Sequence, residues 1–260
     1  MQYTTAVVKS LIKSYLPEEK QQEAHEQLMD IFVAIMQKES TSSELKEELA
    51  DSLAGFVFTE AHIERVKFWI EKKGVYTADN QLVFEPQNTQ DFLNGLIFVL
   101  HSFASVPVEY KTATLNAILG EDKSDKASQL RERCNARLPD AAIKAEVWER
   151  IVAKNSPDSL VTRNALMAGF YHRSQKDILR PYFTKFFENI ENIQANQTTR
   201  YTMNYFAYLL PSMEPRDEFL IELLKIKART PDVKKMLVQE LNEAIDSLLK
   251  IQQIKAQAKL

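Results

Sequence analysis

The residues best able to do chemistry are few and scattered. His25-Glu26-Gln27-Leu28-Met29 begins like the zinc-hydrolase pattern H-E-x-x-H, but Met29 stands where the second histidine must be. A thioether does not replace imidazole on catalytic zinc. His62, His101 and His172 have no partner histidine three or four residues away, so all four histidines read as ordinary core or surface residues. Cys134 is the sole thiol. It falls on what reads as the buried side of a helix, the usual place for a free cysteine acting as a small hydrophobe. No G-x-S-x-G, P-loop or G-x-G-x-x-G occurs, and five glycines among 260 residues leave no phosphate cradle. The sequence therefore offers no catalytic residue, no metal ligand set and no cofactor site.

Two aromatic groups stand out. Tyr182, Phe183, Phe186 and Phe187 follow Pro181, and Tyr201, Tyr205, Phe206 and Tyr208 follow Arg200. Both read first as helix–helix core. A concave surface that holds a peptide is the sharper alternative. Lys250, Lys255 and Lys259 read as a solvated helix end.

Composition defines what must position these groups. The net charge is −3, without the basic excess of a nucleic-acid or membrane-surface binder. The hydrophobic share of 45% and charged share of 27% are those of a globular protein. Scarce glycine disfavours sheets and suits helices. Disorder, collagen, a disulfide scaffold and most all-β folds are excluded. A single cysteine cannot form an internal disulfide, which suits a reducing, cytoplasmic setting. The apolar run Leu96 to Leu100 is far too short for a bilayer.

Helical spacing recurs along the chain. Val7, Val8, Leu11, Ile12 and Tyr15 form a first apolar face, and Ala24, Leu28, Ile31, Phe32 and Ile35 a second. Thr41-Ser42-Ser43-Glu44 and Ser174-Gln175-Lys176-Asp177 read as capping boxes. Gly74 fits a left-handed helix end. Val75 to Asn88 reads as an ordered loop. Helices follow from Thr89 and from Pro107, which Gly120 ends, and then through Leu130, Ile143 and Leu160 to Phe170. Pro181 should break a short helix and start another. Further helices run from Thr198 to Leu210, from Pro215 to Arg229 and from Pro231 onward.

Short connections force neighbouring helices to pack antiparallel. The expected fold is all-α, an irregular stack of antiparallel helices of the HEAT or armadillo superhelical sort, with no repeat at a fixed period. It is one helical domain over 1–260, subdivided into 1–120 and 124–260 at the charged turn Glu121 to Asp125.

Three segments form a connected pattern: Glu146 to Asn155 with Trp148, Leu160 to Phe170 with Gly169-Phe170, and Asp177 to Phe187 with Pro181-Tyr182. This pattern resembles the C-terminal helical domain of the aminopeptidase N family of zinc metallo-aminopeptidases. The resemblance spans Ile63 to the C-terminus and is most specific from Ala145 to Phe187. It implies a terminal domain shaped as a helical bowl that caps the active site and closes a peptide chamber. The family's H-E-x-x-H and G-x-M-E-N motifs are absent from this sequence, so zinc would belong to the parent catalytic domain. Implied partners are that catalytic domain, in the same polypeptide, and a peptide substrate, with no nucleic acid and no membrane. Arg163, Tyr171 and His172 lie in the best-matching stretch and are the candidates for substrate binding from the chamber wall, Arg163 by a bidentate grip on a peptide carboxylate. The alternative is a free-standing α-solenoid scaffold that holds a partner peptide or helix in its groove.

Overall fold

The structure is a computed structural model. It describes residues 18–57, 60–211 and 235–258, together with Ile12, Tyr15, Leu16, 221–223 and Lys225. Most of the expected first helix, and most of the one expected from Pro215 to Arg229, lie outside the described residues. The fold is all-α, with one small hairpin among the described residues. Two compact units emerge, one ending at Ala127 and the other beginning at Ser128.

The first unit holds α1 (Glu18–Gln37), α2 (Ser43–Leu53), α3 (Glu60–Lys72), the strands β1 (Val75–Tyr76) and β2 (Leu82–Phe84), α4 (Thr89–Leu100) and α5 (Val108–Leu119). On α1 the buried stripe is His25, Met29, Phe32, Val33 and Met36, while Ile31 is half exposed. This corrects the expected face by about one residue. Leu28 and Ile35 flank that stripe, half-buried. The near-motif His25…Met29 is therefore core, with His25 5.8 Å from the ring of Phe56.

Ser42, not Thr41, caps α2, accepting from the backbone N–H of Leu45 at 3.2 Å. The Thr41 hydroxyl instead donates to the carbonyl of Ile35, closing α1 at 2.7 Å. At the end of α3 the left-handed residue is Lys73, not Gly74. Lys73 N–H bonds Ile70 and Gly74 N–H bonds Trp69, which together satisfy the last carbonyls. The expected loop after it contains β1 and β2, paired antiparallel around a turn held by Thr77 and Gln81. The helix expected from Thr89 is α4, and it buries Phe92, Leu93, Leu96, Ile97, Val99 and Leu100.

The second unit takes most of α6 (Asp125–Arg137), then α7 (Ala141–Val152), α8 (Leu160–Phe170), α9 (Lys176–Asn196), α10 (Thr199–Leu209) and α11 (Lys235–Ala258). Helix α7 packs on α8 and α9 on α10, and across these pairs α7 meets α9 and α8 meets α10. Two helical pairs are thus stacked like on like. The residues of the resemblance meet in this stack. Trp148 lies 5.5 Å from Phe170 and 5.2 Å from Tyr182, and Phe170 lies 4.9 Å from Tyr182. Gly169 lets α8 touch α6, since a Cβ there would fall 2.3 Å from the Arg133 carbonyl oxygen. Both aromatic groups supply core: Tyr182, Phe186, Tyr201, Tyr205 and Phe206 are buried, although Tyr208 is exposed.

Pro181 does not break the chain here. It lies inside one continuous helix, α9, and the segment at Ser174 is a short 3-10 turn (Arg173–Gln175) without the expected capping box. Interior proline costs about 3 kcal/mol. Burial of Tyr182 and Phe186 on the same helix returns roughly 1.5–3 kcal/mol each. The lost hydrogen bond also falls near the helix start, so packing wins.

Candidate functional site

Arg163, the expected carboxylate receptor, occupies the first turn of α8, where Ser159 caps the helix through the Thr162 N–H. Its spacing with Leu166, Met167 and Phe170 puts it on the apolar stripe, and it is buried. The guanidinium turns back onto the C-terminal end of α7. It donates to the carbonyls of Ile151 and Ala153 and to Gln197 Oε1 at 3.1 Å. Its plane lies over the Tyr201 ring, 4.0 Å from the centroid. Tyr201 donates its hydroxyl to the same Ile151 carbonyl at 2.6 Å, and burial pushes that hydroxyl's pKa up to about 12. Arg163 thus grips four neighbours in the joint between α7, α8 and α10.

Tyr171 and His172 lie beyond the other end of α8. Eight residues of helical rise put about 12 Å along the axis between Arg163 and Tyr171. The three expected residues therefore do not share one constellation. Tyr171 presents its backbone carbonyl to the guanidinium of Arg137 and its ring edge-on to Phe170 at 5.4 Å. His172 caps the short turn after α8: its Nδ1 lies 2.7 Å from Ser174 Oγ and accepts from the Ser174 N–H. Burial, with the charges of Arg137, Lys144 and Arg173, holds its pKa down to about 3. At neutral pH it is an uncharged imidazole, suited to accepting a hydrogen bond and not to gripping an anion.

The residues that organise this end of the unit were not among the expected ones. Lys144, in the first turn of α7, is completely buried. Its ammonium donates to the Ala136 carbonyl at 2.6 Å and the Phe170 carbonyl at 2.5 Å, so the C-terminal ends of α6 and α8 meet on one cation. A helix C-terminus carries partial negative charge, which favours a cation there. Burial, and then the neighbouring Arg137 charge, drive the Lys144 pKa well down. Arg137 reaches the carbonyls of Tyr171 and Ala168, and Gln175 donates to the Arg137 carbonyl at 2.7 Å. Burial lowers the Arg137 pKa to about 9, with the Arg133 charge adding to it.

Lys111 repeats the device in the first unit. It sits in the first turn of α5 and donates to the Phe103 carbonyl at 2.6 Å, eight residues back, as Lys144 does to Ala136. Lys111, Lys144 and Arg163 are each the fourth residue of their helix. Their sequence signal is a cation on an apolar stripe: Lys144 shares its spacing with Val147, Trp148 and Ile151. A charge in that position usually marks a solvated edge, but here it marks a cap.

Cys134 is buried, and burial pushes its thiol up to about 12, so it stays protonated. Among the described residues no group of three or more His, Cys, Asp or Glu is placed to hold a metal ion. Among them, too, no helix is long and apolar enough to cross a membrane.

Over 139 residues, 53% of this chain, the sequence is 24% identical to an aminopeptidase N of Streptomyces lividans. The match spans only 16% of that relative's length. No family model matches the chain. The chain is thus distantly similar to part of an aminopeptidase.

Proposed function

We propose that this chain is the non-catalytic C-terminal domain of a zinc-dependent aminopeptidase that removes N-terminal residues from peptides. It caps the active site and forms the wall of the peptide chamber. Its partners are the catalytic domain of the same polypeptide, which holds the zinc, and the peptide, in a cytoplasmic setting. The observation that carries this reading is the 139-residue likeness to a small part of an aminopeptidase N. The aromatic cluster of Trp148, Phe170 and Tyr182 supports it, because the residues of the resemblance are the ones that hold the stack together.

In this reading the role of the chain is architectural. Arg163, Lys144 and Arg137 fix the ends of α6, α7 and α8, so the helices of a chamber wall keep their spacing when a peptide presses on them. The test is direct. The purified 260-residue chain, incubated with zinc and short peptides, should release no N-terminal residue. Zinc-dependent release by the chain alone would overturn the non-catalytic assignment.

A further inference from the structure

We infer that residues 120–124 form an exposed joint at which the chain can be severed while the half beginning at Ser128 stays folded as an autonomous domain. This goes beyond the proposed function and does not depend on it. Every residue from Gly120 to Lys126 is exposed. Gly120 ends α5 at φ 51°, a backbone state that favours glycine, and nothing lies within 4 Å of where its Cβ would be. The turn that follows is held by short-range bonds: Asp122 N–H to the Leu119 carbonyl at 3.0 Å, and Ser124 N–H to Asp122 Oδ1 at 2.7 Å. Such short-range bonds re-form after local opening.

The second half brings its own core. One continuous apolar cluster runs from Ala136 through Trp148, Phe170, Phe186 and Tyr205 to Leu248, drawn entirely from residues after Ser128. The cations that cap its helices, Lys144 and Arg163, also find their acceptors inside it, at Ala136, Phe170, Ile151 and Ala153. Its length, Ser128–Leu260, is that of an ordinary domain, for which roughly 50–250 residues is usual. A stretch with its own core, its own polar closure and an exposed entry satisfies what independent folding requires.

Lys123 makes the joint addressable by trypsin, in competition with the other Lys and Arg among 33 in the chain. Limited trypsin digestion of the intact chain, followed by mass spectrometry, reads the order of cutting within 60–211. Cleavage after Lys123 should come first. The C-terminal product should then outlast the parent chain and melt in one cooperative transition. The variant Lys123→Gln should lose that early cleavage and keep the parent's helical signal. First cuts elsewhere within 60–211, or a C-terminal product that disappears as fast as it forms, would overturn the inference.

Discussion

The ammonium of Lys144 lies 2.5 Å from the carbonyl oxygen of Phe170, and the same ammonium reaches Ala136 at 2.6 Å. One side chain from the start of α7 thus closes the ends of two other helices. Removing it leaves two buried carbonyls without this donor, although it also removes the cost of burying a charge. Hydrogen bonds from a charged donor are worth about 1.5–3 kcal/mol each, and stranded acceptors cost about as much. Lys144→Met, which keeps the volume, should lower stability by on the order of 2 kcal/mol, read as a shifted urea midpoint with an unchanged slope. An unshifted midpoint would mean that desolvation of the ammonium cancels its bonds.

Gly169 and Gly95 should respond oppositely to the same change. A Cβ at Gly169 meets the Arg133 carbonyl oxygen at 2.3 Å and Ala136 Cβ at 2.9 Å, so α8 must move off α6. Gly169→Ala should cost about 3 kcal/mol. At Gly95 the nearest atom is Ala54 Cβ at 3.5 Å, ordinary contact. Gly95→Ala should raise stability by roughly 0.5–1 kcal/mol, because alanine suits a helix interior. Thermal melts of the two variants side by side check both signs.

Arg163 needs its fork. It reaches Ile151, Ala153 and Gln197 with two nitrogens while lying on Tyr201. Lysine has one nitrogen and no plane to stack, so Arg163→Lys should cost about 1–2 kcal/mol despite keeping the charge. Chemical denaturation of the variant measures it. A variant as stable as the parent would return Arg163 to the role of a peptide-carboxylate receptor.

Buried histidines shape the acid side of the stability curve, and burial lowers His62 as well. Burial lowers His101 to about 4, and burial with nearby cations lowers His172 to about 3, against an ordinary 6.5. Between those values and 6.5 the unfolded chain binds protons that the folded chain does not. Their contribution is therefore complete above pH 6.5 and falls away as pH drops toward 3 to 4. Stability should decline with acidification from pH 6.5 to 4, and His101→Gln should flatten the decline. A decline that begins only below pH 4 would assign it to carboxylates instead.

Much of the fold was legible because periodic apolar residues and side-chain caps agree. The stripe on α4 is unambiguous, with six buried apolar residues and Asn88 at its cap. The errors came where two signals compete. On α1 two apolar stripes overlap, and only packing against the rest of the unit selects the Met29–Val33–Met36 side. At Thr41 and Ser42 adjacent hydroxyls both suit the cap, and only packing chooses Ser42. At Pro181 a local rule loses to the burial of Tyr182 and Phe186. The cations of the site were hidden for a different reason. A lysine on an apolar stripe looks like an interruption until the helix end it faces is known, and that end comes from another part of the chain.

The most direct test of the central claim is the mass of the native protein in its own cells, probed with an antibody against this chain. A product several times heavier than 30.0 kDa, carrying zinc-dependent aminopeptidase activity into the immunoprecipitate, is the expected result. A product of about the size of this chain, without peptidase activity, would contradict the claim and make a free-standing helical scaffold the reading to pursue.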